Sequence, residues 1–176
     1  GYALDFAPVY RIAEGVSVGA FFTLISGDHP STAGTDESFI NATISGQYSG
    51  INLWRFYILE DGGTLTLDSP AVSAGKYDNE RGYVLAGLVF NGTYQGFSAK
   101  FQAAYALAHQ KPLASGGSRS MGLEFNLNLS YEASPGAVLF VEGAFLKTGA
   151  FFKTYYPAYG SVQNAFSLNA GMTFEL

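Results

Sequence analysis

The sequence predicts an all-β chain: a transmembrane, antiparallel, up-and-down β-barrel with about seven or eight strands in hand, part of a larger barrel. Three observations carry this prediction. Charged residues are 13% of the 176 residues, aromatic ones are 16%, and there are 22 glycines, whereas a soluble surface normally carries roughly 25–35% charge. No apolar run approaches the ~20 residues that a membrane-crossing helix needs. Apolar side chains recur instead at every second position, the period of a strand with one greasy and one wet face. A soluble sandwich alternates too, but its wet face would carry charge, and here that face is mostly Ser, Gly, Ala, Asn and Gln.

Composition also narrows the function. Without cysteine there is no disulfide or thiolate metal site. Nine Lys and Arg against fourteen Asp and Glu give a net charge of −5, so the basic face that nucleic acid requires is missing. No cofactor is expected.

In chain order, the first segment is "YALDFAPVYRI", with Tyr2, Leu4, Phe6, Tyr10 and Ile12 on one face and Asp5 and Arg11 on the other. Pro8 has no N–H to give to a ladder, which predicts a bulge or a weakly paired side there. Ala13 to Gly15 turn the chain into "VSVGAFFTLIS", with Val16, Val18, Ala20, Phe22 and Leu24 outward. Residues 27–78 read as a long external polar excursion. The third strand, near "ERGYVLAGLVFNG", puts Val84, Ala86, Leu88 and Phe90 on one side, and "NGTYQG" reads as a turn. The fourth, "FSAKFQAAYALAH", sets Phe97, Phe101, Tyr105 and Leu107 opposite Ser98, Lys100 and Gln102.

The fifth segment, "SMGLEFNLNLSYE", alternates most cleanly, with Met121, Leu123, Phe125, Leu127, Leu129 and Tyr131 against Gly122, Glu124, Asn126, Asn128 and Glu132. A one-residue slip would put a Glu and two Asn into lipid. "ASPG" turns it into "AVLFVEGAFLKT", with Leu139, Val141 and Phe145 outward and Glu142 inward. The seventh, "NAFSLNAGMTFEL", keeps its alternation to Leu176.

Connections at 13–15, 91–96 and 133–136 are short, and those at 27–78, 109–118 and 149–161 are long, so they fall on opposite sides. Outer-membrane barrels have short periplasmic turns and long external loops, and in single-chain bacterial examples an even strand number. Seven strands are odd. Either the chain is the C-terminal part of a larger barrel, or residues 27–78 hide a further strand, for example around 52–59.

A family resemblance rests on two stretches. "FFTLISGDHPSTAGTDESF" is a strand running into an Asp-rich, Pro-containing loop, and "NAFSLNAGMTFEL" is a terminal alternating strand. On these the chain resembles an outer-membrane porin, and more loosely the C-terminal portion of the alginate-export type of porin. The resemblance implies a passive channel for small hydrophilic solutes in the bacterial outer membrane. Its partners would be the lipid bilayer, lipopolysaccharide, the assembly machinery that reads the last strand, and further barrel strands or a partner chain. Alginate exporters use an arginine-rich lumen, whereas this chain has only Arg11, Arg55, Arg81 and Arg119, so a polyanionic substrate is not expected.

The expected pore lining is Asp5, Arg11, Lys100, Gln102, Glu124, Asn126, Asn128, Glu142, Gln163 and Asn169, wet because small residues dominate that face and slightly favouring cations. Trp54, Arg55, Phe56 and Tyr57 form an apolar cluster in the long excursion and are candidates for a constriction. Asp28, Asp36 and Glu37 are weak Ca²⁺ candidates without EF-hand spacing; no metal is expected. Tyr2, Tyr10, Tyr83, Tyr94, Tyr105, Tyr131 and Tyr155, near segment ends, read as interfacial anchors. Of the two histidines, His29 and His109, neither has a Ser nucleophile motif nearby, and no enzyme is expected. A non-conducting scaffold barrel is the alternative to a channel, and a rim hydrolase the remote one.

Overall fold

The computed structural model describes residues 1–27, 82–110, 117–151 and 163–174. Its strands are β1 (Ala3–Phe6), β2 (Val9–Ala13), β3 (Val16–Ser26), β4 (Gly82–Tyr94), β5 (Phe97–Ala108), β6 (Ser120–Ser134), β7 (Ala137–Thr148) and β8 (Ala165–Phe174). All eight lie in one antiparallel up-and-down sheet, in which β1 and β2 both pair with β3 and each later strand pairs with the next.

β1 and β2 are one strand interrupted at Pro8, so the sheet is seven strands wide. No bulge marks the proline. Phe6 sits opposite Phe22 and Val9 opposite Gly19, an unbroken register. The Ala20 N–H donates to the Pro8 carbonyl at 3.1 Å, and only the return bond, which needs an N–H on proline, is missing. The register shift of this strand falls instead between Arg11 and Ala13, against the turn.

Three two-residue turns join the strands at one end of the sheet: Glu14–Gly15, Gln95–Gly96 and Pro135–Gly136. They are shorter than the composition suggests. Asn91–Gly92 carries a hairpin-turn signature, yet β4 runs on through it to Tyr94. The turn proper puts both Gln95 (φ 46°) and Gly96 (φ 81°) in the left-handed region, the geometry that matches strand twist. β6 likewise runs past Ala133 to Ser134.

The pleat separates two faces. On the outer one lie Leu4, Phe6, Tyr10, Leu88, Phe90, Phe97, Phe101, Phe125, Leu127, Leu129, Val141, Phe145, Phe166 and Leu168, all exposed. Lys147 is the one charged strand residue on that face among the described residues. On the inner face, toward the end opposite the turns, a core of Phe21, Tyr83, Leu85, Ala104, Ala106, Ala108, Met121, Leu146 and Phe151 is buried.

Two of these correct the sequence reading. Met121, expected outward, is only 2% exposed, because the β5–β6 register shifts between Ala106 and Leu107 and makes it the extra residue of a bulge. Tyr83, expected as an interfacial anchor, has inner-face parity with Leu85 and is buried. Leu85 and Val89, apolar on the expected wet side, belong to that buried face as well.

The sheet is open. Both edges, β1/β2 and β8, descend toward the two-residue turns, and they do not pair with each other. The described strands do not close into a barrel by themselves, and direct closure would bring together two strands of the same direction.

Candidate functional site

Strand register places one polar residue from each strand from β2 to β8 in a single row across the inner face. Arg11 lies opposite Ser17, Ser17 opposite Asn91, Asn91 opposite Lys100, Lys100 opposite Asn128, Asn128 opposite Glu142, and Glu142 opposite Asn169. Directly opposed side chains stand ~4.5–5.5 Å apart at Cβ, close enough to bond in sequence. Asn91 Nδ2 donates to Ser17 Oγ at 3.3 Å. Asn128 Nδ2 donates to Glu142 Oε1 at 2.6 Å, and Asn169 Nδ2 to Glu142 Oε2 at 3.4 Å. The carboxylate is thus held from both neighbouring strands.

The row carries two cations, Arg11 and Lys100, against one carboxylate. Its local balance is the reverse of the chain's −5.

One row further from the turns come Val9, Gly19, Val89, Gln102, Asn126, Ala144 and Ser167, and the next contains Phe21, Gly87, Ala104, Glu124 and Leu146. Here the polar groups are enclosed: Gln102 is 3% exposed, Asn126 2% and Glu124 0%. With its amide oriented to suit its neighbours, Asn126 donates to Glu124 Oε1 at 2.8 Å and to the Phe125 carbonyl at 3.0 Å. The Gln102 Nε2 is buried without a hydrogen-bond partner among the described residues. Phe21 lies across Gly87, where an added Cβ would meet the ring and the Ala103 carbonyl.

Toward the turns the inner face opens. A space of about 770 Å³ is bounded by Arg11, Glu14, Thr93, Ser98, Ser130, Glu132 and Val138. The inner face is therefore packed at one end and accessible at the other.

Asp5 lies above the row, accepting from Thr23 Oγ1 at 2.8 Å. Gln163 stands before β8, where its backbone carbonyl accepts from Thr148 Oγ1 at 3.2 Å. Nine of the ten expected lining residues thus share one sheet face: Arg11, Lys100, Asn128, Glu142 and Asn169 in the row, Gln102, Glu124 and Asn126 in the enclosed layer, and Asp5 exposed at the edge, while Gln163 sits outside the strands. Ser17 and Asn91, the two row members not anticipated, were legible as inner-face positions once β4 was carried through Gly92.

At the rim opposite the turns, His109 follows β5 directly. Gly27 N–H donates to its Nδ1 at 3.3 Å, which leaves the Nε2–H to meet the Tyr2 hydroxyl at 3.1 Å. Its own N–H donates to the Gly82 carbonyl at 3.1 Å. Burial, and secondarily the Arg119 guanidinium, hold its pKa below the usual value. His109 therefore fastens three segments together at this corner. Tyr10, Tyr94 and Tyr131 take the outer end positions expected of them, with Phe97 and Tyr131 stacked at 4.3 Å.

His29, Trp54, Arg55, Phe56, Tyr57, Tyr155 and the carboxylates Asp28, Asp36 and Glu37 lie outside the described residues. Among the described residues no group of three or more His, Asp or Glu side chains is placed to hold a metal ion. No known protein family, no curated protein and no solved structure matches the chain.

Proposed function

We propose that this chain forms part of the wall of a porin-like β-barrel channel in the bacterial outer membrane, passing small hydrophilic solutes along its inner face. The observation that carries this reading is the separation of the two faces. Among the described residues the outer surface is apolar with a single lysine near one end, while each strand from β2 to β8 contributes a polar residue to one inner row. A water-exposed sheet has no use for so many bare Phe and Leu side chains. A bilayer does: β5 from Phe97 to Leu107 is ~33 Å long at ~3.3 Å per residue and, tilted by ~40°, covers the ~25 Å apolar band of such barrels. On this reading the outer face meets lipid and lipopolysaccharide.

Conductance in planar bilayers of the assembly purified from the membrane that houses the chain, with the strands that pair with its open edges, tests the proposal. Stepwise openings are expected, and exchanging both row cations (Arg11→Glu with Lys100→Glu) should shift the reversal potential toward cation permeation; a silent bilayer with correctly inserted protein overturns it. The enclosed layer around Glu124 favours a second reading, a non-conducting barrel that scaffolds a partner, and the same silent bilayer would select it.

A further inference from the structure

The two edges of this sheet are built to be paired, and their directions say by what. Natural sheets blunt a free edge with Lys, Pro, bulges or very short strands. β8 has none of these devices: its ten residues carry no charge and no proline, and Phe166, Leu168, Met172 and Phe174 are 83%, 75%, 50% and 69% exposed.

The opposite edge carries a register shift between Arg11 and Ala13 next to its turn and a proline between strands of 4 and 5 residues, but the proline is turned the wrong way to protect it. Ser26 N–H donates to the Tyr2 carbonyl and Ala20 N–H to the Pro8 carbonyl, so the even-numbered residues aim their backbone groups at β3. Alternation then points the N–H and C=O groups of Ala3, Asp5, Ala7 and Val9 away from the sheet, and Pro8 interrupts none of them. The polar row also runs out to both edges, ending on Arg11 and Asn169.

Both edge strands run from the rim toward the two-residue turns. An antiparallel partner for either must therefore run from the turns toward the rim. β8 closing on β1/β2 fails this, being parallel, and so does a ring of copies related about the pore axis. β8 against β8 of a second copy is antiparallel, but only with that copy inverted across the membrane.

We infer that both edges are completed by an odd number of amphipathic β-strands of different sequence. The strand against each edge runs antiparallel to it, with apolar side chains level with Leu4 and Phe6 or with Phe166, Leu168 and Met172, and with polar ones level with Arg11 and Asn169. The inference rests on the membrane reading above, which fixes the orientation of copies.

Photo-crosslinking in the membrane that houses the chain tests it. A benzophenone amino acid replaces Leu4 or Tyr10 on one edge and Phe166 or Met172 on the other, all exposed outer-face positions, and the captured residues are identified by mass spectrometry. On an antiparallel partner the residue captured from position 4 lies C-terminal to that captured from 10, and the residue from 166 C-terminal to that from 172. That order, on a segment alternating apolar and polar residues, is the expected result. The reverse order, capture within residues 165–174 by positions 4 and 10, capture of β8 by β8, capture within residues 28–81, or no capture at either edge overturns it. Conductance of the same preparation separates the two claims: antiparallel capture in a silent bilayer leaves the inference standing and removes the channel, whereas capture of β8 by β8 in antiparallel order removes the membrane orientation itself.

Discussion

His109 joins Tyr2, Gly27 and Gly82, and its ring nitrogens are committed: Nδ1 must accept from the Gly27 N–H, so only the neutral ring fits. Burial and then Arg119 lower its pKa from 6.5 in the fold. Between that lowered value and 6.5 the unfolded chain binds more protons, so stability rises with pH there, is complete above about pH 6.5, and falls as pH drops through the lowered value. Urea titrations in detergent should show this slope and should lose it in His109→Phe. That variant should also be less stable by about 0.5–1.5 kcal/mol, since the Gly27 N–H loses its acceptor. Glu142 makes a second residue-scale case. Because Asn128 and Asn169 both donate to it, Glu142→Leu should cost about 1.5–3 kcal/mol in the same assay, while Glu132→Leu, exposed near the turns, should cost less than about 0.5 kcal/mol.

At the scale of elements, the alternation of apolar and polar residues made seven strands legible to within a few residues, because a strand with one greasy face writes its period directly into the sequence. What it could not convey were departures from that period. Met121 reads as one more outward apolar position until a bulge turns it inward. Asn91–Gly92 reads as a turn because local propensity favours one, but the register with Lys100 and Ala99 holds those residues in the ladder and the reversal waits for Gln95–Gly96. Pro8 predicts disruption, yet only one hydrogen bond is lost. Gly87 is another such place: its missing side chain is what admits the Phe21 ring. Gly87→Val should destabilise the sheet by about 1–3 kcal/mol through overpacking, measured by thermal unfolding. Gly143→Val, on the outer face with only ordinary contacts around it, should be close to neutral.

For the whole molecule, the face carrying polar side chains was readable from parity alone, but its division into an enclosed layer and an open one was not. Gln102, Glu124 and Asn126 have the same parity and chemistry as Asn128 and Lys100, and what differs is the height along the strand at which Phe21, Leu85, Met121 and Phe151 fill the space. Thiol labelling should register that division: Ser98→Cys, exposed, reacts readily with a hydrophilic maleimide, and Asn126→Cys does so at least tenfold more slowly. The outer face yields a complementary prediction. Leu127→Lys, mid-strand and outward, should weaken membrane folding by about 2–4 kcal/mol, whereas a lysine near the turns on the inner face, at Ser98, should cost about 1 kcal/mol or less.

The row from Arg11 to Asn169 follows the hydrogen bonds between strands, so its course depends on how the strands lean. In a wall whose strands tilt by about 35–45°, six steps of ~4.8 Å between neighbours carry the row upward by roughly 17–20 Å while it passes sideways through the whole sheet. The polar residues then form a ramp and not a ring. In the channel proposed above, a solute trading one partner for the next along it, from Lys100 to Asn128 to Glu142, would rotate about the pore axis as it advanced.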